Sequence, residues 1–301
     1  MLFAGTSHRA LAEQIASCLG IQLGKALIET FPDGEIGVRI LESVRGRDVF
    51  VVQSIARHPN FYLMELLILI DALKRASARS IVAVLPYFGY ARQDRRGMAR
   101  EPITARLVAD LLQTAGVTRV LTMDLHTEQV QGFFNIPVDN LYALPLLVEE
   151  CSSFSIGTVV APDVGSIKLA RLYAESLRVD LAIVDKRRVD AGKVEAGALI
   201  GDVHGKDVLL VDDLCSTGST LLKAVQTVKK GGCGKVYVAV THGLFVKKEI
   251  VENKDIEKVI VSNTVPVEST EKVKAVSVAP LFALAIESIV GAGSISSHYL
   301  I

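Results

Sequence analysis

The chain has 301 residues, half of them hydrophobic and 22% charged, with 33 basic and 33 acidic side chains. That balance argues against a general nucleic-acid binder, and the length predicts one large or two medium α/β domains. The longest apolar runs are interrupted by Asp71 or by Pro280 and Glu287, so none is long enough to span a bilayer.

The opening M-L-F-A-G-T-S-H-R reads as a short strand, residues 2–4, entering a helix capped by Ser7. It lacks the basic start and long apolar core of a signal peptide. Cys18, Cys151, Cys215 and Cys233 are too scattered for a zinc site or a disulfide framework, so a reducing, cytoplasmic setting is expected.

Strands are predicted over residues 27–31, 49–53, 81–85 and 120–124, with helices over 62–76 and 102–115 between them. A second series follows: strands over 158–161, 181–184, 208–211, 236–241 and 258–262, helices over 165–177 and 219–230. Strands apolar on both faces and separated by helices predict parallel sheets covered on each side. The two series look like two copies of one plan, residues 1–143 and 144–301. The last helix, about 281–290, is free to pack on either half.

Several motifs stand at predicted strand ends, where open parallel sheets bind ligands. F-P-D-G-E-I sets Phe31, Asp33 and Glu35 around Gly34, which suits purine stacking and equally suits a plain turn with a core Phe. Y-F-G-Y-A-R-Q-D-R-R, with Arg100 beyond, carries guanidinium forks matched to polyphosphate, or else a solvated face. In M-D-L-H-T-E-Q, two-residue alternation sends Asp124, His126 and Glu128 to one side if the strand continues. A-P-D-V-G-S puts Asp163 before a helix. D-K-R-R opens a Gly-rich, charged stretch, 187–205, that fits no regular element and reads as a mobile loop. Its Lys186 and Arg188 supply the paired cations that phosphoryl transfer uses.

V-L-L-V-D-D-L-C-S-T-G-S-T-L is the most informative stretch. A buried strand ends in Asp212 and Asp213, and a small-residue turn of Ser216, Thr217, Gly218, Ser219 and Thr220 leads into a helix. Backbone N–H groups and hydroxyls there suit phosphate, while the carboxylates suit sugar hydroxyls or a divalent cation. Taken alone, the stretch also reads as a strand end followed by an N-cap.

Together these segments resemble a known family. The Asp-Asp turn is similar to the phosphoribosyl-diphosphate loop of type I phosphoribosyltransferases. The other five motifs, in order and over nearly the whole chain, resemble the ribose-phosphate pyrophosphokinases. The resemblance implies two similar phosphoribosyltransferase-type domains, each a mainly parallel sheet flanked by helices. It implies active sites near domain and subunit interfaces and a homo-oligomer, a hexamer built from dimers. The implied reaction is Mg²⁺-dependent: the anomeric hydroxyl of ribose 5-phosphate attacks the β-phosphorus of ATP, giving 5-phosphoribosyl 1-diphosphate and AMP.

Carried onto this chain, the resemblance assigns Phe31, Asp33, Gly34 and Glu35 to adenine, from a neighbouring subunit, and Arg92 and Gln93 to ATP. It assigns His126 and Asp163 to Mg²⁺ and Lys186 and Arg188 to catalysis. Asp212 and Asp213 meet ribose hydroxyls and Ser216–Thr220 the 5-phosphate, with Arg188 also on that substrate. Many members carry Asp where this chain has Ser216 and Gly or Cys where it has Ser219, which removes a negative charge beside the substrate. A salvage phosphoribosyltransferase would share the Asp-Asp turn without needing the other motifs. A non-catalytic regulatory subunit would be expected to lose the loop cations or metal positions, and all of these are present.

Overall fold

A computed structural model describes residues 1–185, 188–189, 193–194, 198–291 and 293. The chain forms two compact units, one built on Met1–Tyr142 and the other on Ala143–Asn263 and Val267–Val276, with Thr264–Pro266 and the final helix joining the first.

The first unit runs β1 (Leu2–Ala4), α1 (Arg9–Cys18), β2 (Ala26–Thr30), β3 (Ile36–Ile40), β4 (Asp48–Val52), α2 (Pro59–Arg75), β5 (Ser80–Leu85), α3 (Thr104–Ala115), β6 (Arg119–Met123) and β7 (Val138–Leu141). Five of the strands make a parallel sheet in the order β1-β4-β5-β6-β7. Its inner strands β4, β5 and β6 are buried on both faces, and α2 lays Leu66, Leu69, Ile70 and Leu73 on the sheet at helical spacing. Proline favours a first helical turn, so α2 starts at Pro59, ahead of the predicted start. His8 rather than Ser7 caps α1: its ring nitrogen accepts from the Leu11 N–H.

Residues 27–31 do not belong to that sheet. β2 pairs only with β3, as a two-stranded antiparallel ribbon in which Thr30 stands opposite Ile36. The second strand, I-G-V-R-I, carries Gly37 in place of a side chain and is not predicted from the sequence.

The second unit runs α4 (Leu144–Cys151), β8 (Thr158–Ala161), α5 (Ile167–Leu177), β9 (Asp180–Asp185), β10 (Arg188–Val189), β11 (Lys193–Val194), β12 (Ala198–Ile200), β13 (Val208–Cys215), α6 (Ser219–Lys230), β14 (Val236–Gly243), α7 (Glu249–Glu252), β15 (Lys258–Ser262) and β16 (Val273–Val276). Its seven-stranded sheet has the order β12-β9-β8-β13-β14-β15-β16, parallel except for β12. Part of the stretch expected to be a mobile loop is therefore a sheet edge, because Leu199 pairs with Val184. Leu221, Ala224, Val225 and Val228 of α6 pack on Leu210 and Val238. The final helix, α8 (Ala279–Val290), packs on α1 of the first unit.

Five strands of each unit share one plan. β1-β4-β5-β6-β7 and β8-β13-β14-β15-β16 have the same spatial order and the same parallel sense, and in each the first strand is followed by a helix.

Candidate active site

Adjacent parallel strands deliver their carboxyl ends to one edge, and in the second unit β8 lies directly beside β13. β13 runs past its predicted end to Cys215, so Asp212 and Asp213 lie within the strand, Asp212 opposite Val240 of β14. The neighbouring β8 ends just before Asp163. That carboxylate caps a single 3-10 turn by accepting from the Gly165 N–H at 3.1 Å.

Ser166 joins the two acidic segments. Its hydroxyl donates to Asp212 Oδ1 at 2.9 Å and lies 3.3 Å from Asp163 Oδ1. The Asp213 N–H also donates to Asp212 Oδ1, at 3.0 Å. Burial raises the Asp212 pKa to about 7, with repulsion from Asp213 and then Asp163 adding to it, while the Ser166 hydrogen bond pulls it back. Cys215 next to this strand end is no nucleophile, because burial pushes its thiol up to about 12.

The turn after β13 is shaped by Gly218. Its φ of 78° is left-handed, and a Cβ there would stand 3.0 Å from Ile250 Cβ, so both backbone and packing require glycine. Glycine in the cap position leaves α6 without a side-chain cap at its N-terminus. Thr217 and Ser219 are exposed beside it, the Thr217 hydroxyl 3.3 Å from that of Ser219. Exposed hydroxyls around an uncapped helix N-terminus make a surface suited to a dianionic phosphate.

In the first unit, Phe31 stands at the tip of the β2–β3 ribbon. Its N–H donates to the Glu35 carbonyl, Gly34 turns at φ 93°, and Asp33 Oδ1 accepts from the Glu35 N–H at 3.2 Å. The ring is 45% exposed, which rules out a core phenylalanine.

The arginine loop after β5 is held at its base. The Gln93 N–H donates to the Tyr90 carbonyl at 2.9 Å, the Gln93 carbonyl accepts from Ala105 at 3.1 Å, and the Thr104 hydroxyl donates to the Gln93 side chain. Further along, one oxygen of Glu101 accepts from both the Gly97 and Met98 N–H groups. Arg92, Gln93, Arg95, Arg96 and Arg100 are exposed.

β6 stops at Met123, and Asp124 at φ 39° bends the chain away. Strict alternation through His126 to Glu128 is therefore lost. His126 is exposed on the turn, which leads into a short 3-10 helix from Glu128 to Phe133. His126 lies in the first unit and Asp163 in the second. Lys186 falls outside the described residues; Arg188 opens β10, where the backbone alone is described.

Among the described residues, no three His, Cys, Asp or Glu side chains form a ready-made metal cage. The donor set nevertheless fits a hard dication that completes its shell with phosphate oxygens and water. Repulsion among Asp163, Asp212 and Asp213 is what a nearby cation would relieve.

The family models locate the chain. Residues 1–116 match the N-terminal domain of ribose phosphate pyrophosphokinase, and residues 188–300 match the phosphoribosyl synthetase-associated domain. A ribose-phosphate pyrophosphokinase of Wolinella succinogenes is 48% identical, covering 99% of this chain and 98% of the relative. One from Caldanaerobacter subterraneus is 50% identical over 95% and 93%. The chain belongs to the ribose-phosphate pyrophosphokinase family.

It is thus an enzyme of that family, with the fold to match. The crystal structure of phosphoribosylpyrophosphate synthetase from Mycobacterium smegmatis superimposes with a TM-score of 0.91 at 42% identity, over 97% of this chain and 99% of that one. Beside the residues singled out in the sequence, the fold brings Ser166, Asp94, Thr127 and Asn140 to the candidate loops. Ser166 ends A-P-D-V-G-S, but its partner Asp212 follows only from the β8–β13 adjacency.

Proposed function

We propose that the protein transfers the diphosphoryl group of ATP to the anomeric hydroxyl of ribose 5-phosphate, giving 5-phosphoribosyl 1-diphosphate and AMP. The anomeric oxygen forms a bond to the β-phosphorus, the bond from that phosphorus to the bridging oxygen breaks, and AMP leaves. The observation that carries this reading is the end of β13, where a phosphate-sized turn adjoins two carboxylates suited to ribose hydroxyls.

In that reading Ser216, Thr217, Gly218, Ser219 and Thr220 take the 5-phosphate, and Asp212 and Asp213 the ribose hydroxyls. Phe31 stacks on adenine, with Asp33, Gly34 and Glu35 shaping the turn around it. Arg92 and Gln93 bind the polyphosphate. Lys186 and Arg188 neutralise charge on the diphosphoryl group in flight, and Arg188 also meets the sugar substrate. Catalysis is positioning and electrostatics, without a covalent intermediate.

Mg²⁺, held through His126 and Asp163, would compensate charge on the polyphosphate. We further propose a cytoplasmic homo-oligomer, a hexamer built from dimers, in which the Phe31 turn serves a neighbouring subunit. Exposure of that ring at the ribbon tip supports this, and among the described residues no helix is long and apolar enough to cross a membrane.

Purified protein supplied with Mg²⁺, ATP and ribose 5-phosphate should release AMP, with no release when any one of the three is omitted. Lys186→Ala should lower turnover by orders of magnitude with an unchanged melting temperature. An unchanged rate would remove Lys186 from the mechanism. A regulatory subunit would release no AMP under any of these conditions. A salvage phosphoribosyltransferase would instead consume 5-phosphoribosyl 1-diphosphate only when a free base is added.

A further inference from the structure

The arginine loop and the His126 turn leave neighbouring parallel strands, β5 and β6, of the same sheet. Between them runs a hydrogen bond that the reaction as described does not use: the Thr127 hydroxyl donates to Asp94 Oδ2 at 2.9 Å. Both side chains are half-buried, while the flanking Gln93, Arg95 and His126 are exposed.

Charge makes this pairing informative. Asp94 sits among Arg92, Arg95 and Arg96, yet its carboxylate accepts from a neutral hydroxyl on the other loop. Among the described residues, none of Arg92, Arg95, Arg96 and Arg100 has an ion-pair partner. The guanidinium groups thus remain available to an anion, while the carboxylates beside them are committed elsewhere, Asp94 to Thr127 and Glu101 to the Gly97 and Met98 N–H groups.

The His126 turn is held from its other side as well. Asp124 adopts φ 39°, a left-handed conformation that costs a non-glycine residue energy and persists only when neighbours enforce it. From β7, Asn140 Oδ1 accepts the Leu125 N–H at 3.1 Å. That N–H dictates which way the amide faces, and the Asn140 Nδ2 is left buried without an acceptor. A side chain that bears an orphaned donor to keep one carbonyl contact is there for that contact. His126 is therefore bracketed, with Leu125 tied to the sheet and Thr127 tied to the arginine loop.

We propose that Asp94 and Thr127 form a positioning pair that locks the arginine loop to the His126 turn. Arg92, Gln93 and His126 then meet the nucleotide's polyphosphate and its metal as one preassembled surface. Neither residue touches substrate. The inference rests on the reading of Arg92 and Gln93 as nucleotide groups and of His126 as a metal group.

The test compares full-length Thr127→Val, Asp94→Asn, the double variant, Thr127→Ser and His126→Ala. KM for ATP and the Mg²⁺ concentration for half-maximal rate are measured for each, with melting temperature as the control. Losing this hydrogen bond to a half-buried carboxylate predicts that Thr127→Val raises both quantities about tenfold; Asp94→Asn, whose amide oxygen still accepts from the hydroxyl but without the charge, raises them about threefold. The double variant should be no worse than Thr127→Val alone, because the two act through the same bond. Thr127→Ser should restore both values, and KM for ribose 5-phosphate should hold throughout. If His126→Ala raises the Mg²⁺ requirement while Thr127→Val and Asp94→Asn leave both quantities at the wild-type level, the pair has no positioning role. If His126→Ala itself leaves the Mg²⁺ requirement unchanged, the metal reading of His126 fails and takes the pair with it. Should Thr127→Val not fold, Thr127→Ala with the Thr127→Ser comparison carries the same decision.

Discussion

Asp212 carries an electrostatic cost that its role would explain. An acid whose folded pKa is raised penalises the fold as it ionises. The penalty is absent below its unfolded value near about 4, grows as the pH rises, and is complete above about 7. Asp212→Asn should therefore raise stability at pH 8 by on the order of 1–3 kcal/mol, with the gain fading as the pH falls toward 4. Thermal melts at pH 5 and pH 8 check the sign, and ribose 5-phosphate turnover should collapse in the same variant. A gain that grew as the pH fell would contradict the assignment. Gly218→Ala is the opposite case: a strained φ and the contact with Ile250 should cost about 1–3 kcal/mol and weaken ribose 5-phosphate binding, measurable by denaturant titration and calorimetry. The acid pair and the glycine turn were legible as residue types in sequence order. The Ser166–Asp212 bond, between residues 46 apart in the chain, was not, because it exists only once β8 and β13 are neighbours.

The β2–β3 ribbon shows how much of an element is readable. Residues 27–31 announced a strand, and F-P-D-G-E announced the turn. Strand propensity says nothing about the partner, so residues 27–31 alone were expected, and in the parallel sheet. Its antiparallel pairing is what lifts Phe31 and Leu27 into exposure, together with Leu41 just beyond it. Phe31→Ala should accordingly leave the melting temperature within a degree or two, since little area is buried, while raising KM for ATP about tenfold through lost stacking. An unchanged KM would detach the ribbon from the nucleotide. The helices were easier to place because apolar spacing in α2, α3 and α6 matches the faces they bury. Their starts shifted where Pro59 and Thr104 set the first turn.

Across the whole molecule, two copies of one strand plan have been put to different ends. At the end of β13, Asp212 receives the Ser166 hydroxyl beside an open turn. At the equivalent place in the first unit, after β4, stands Gln53, and it receives the Ser7 hydroxyl at 2.6 Å. Gln53 in turn donates to the fully buried Glu65 at 2.7 Å, which also accepts from the Thr6 N–H and hydroxyl. That network occupies the ends of β1 and β4 with protein side chains, where the second copy presents its acid pair. Glu65→Ala would orphan the Thr6 and Gln53 donors and should cost about 2–4 kcal/mol, with KM for ribose 5-phosphate unchanged. The repeat itself was visible in the alternation of strands and helices. The closure of one copy was not, because Gln53, Glu65 and Thr6 carry no motif and meet only through tertiary packing. The central claim is decided by following the phosphorus of ATP by NMR as the enzyme turns over with Mg²⁺ and ribose 5-phosphate. AMP and a sugar 1-diphosphate should appear in equal amounts as ATP declines; ADP with a sugar bearing a single new phosphate, or an unaltered spectrum, would contradict it.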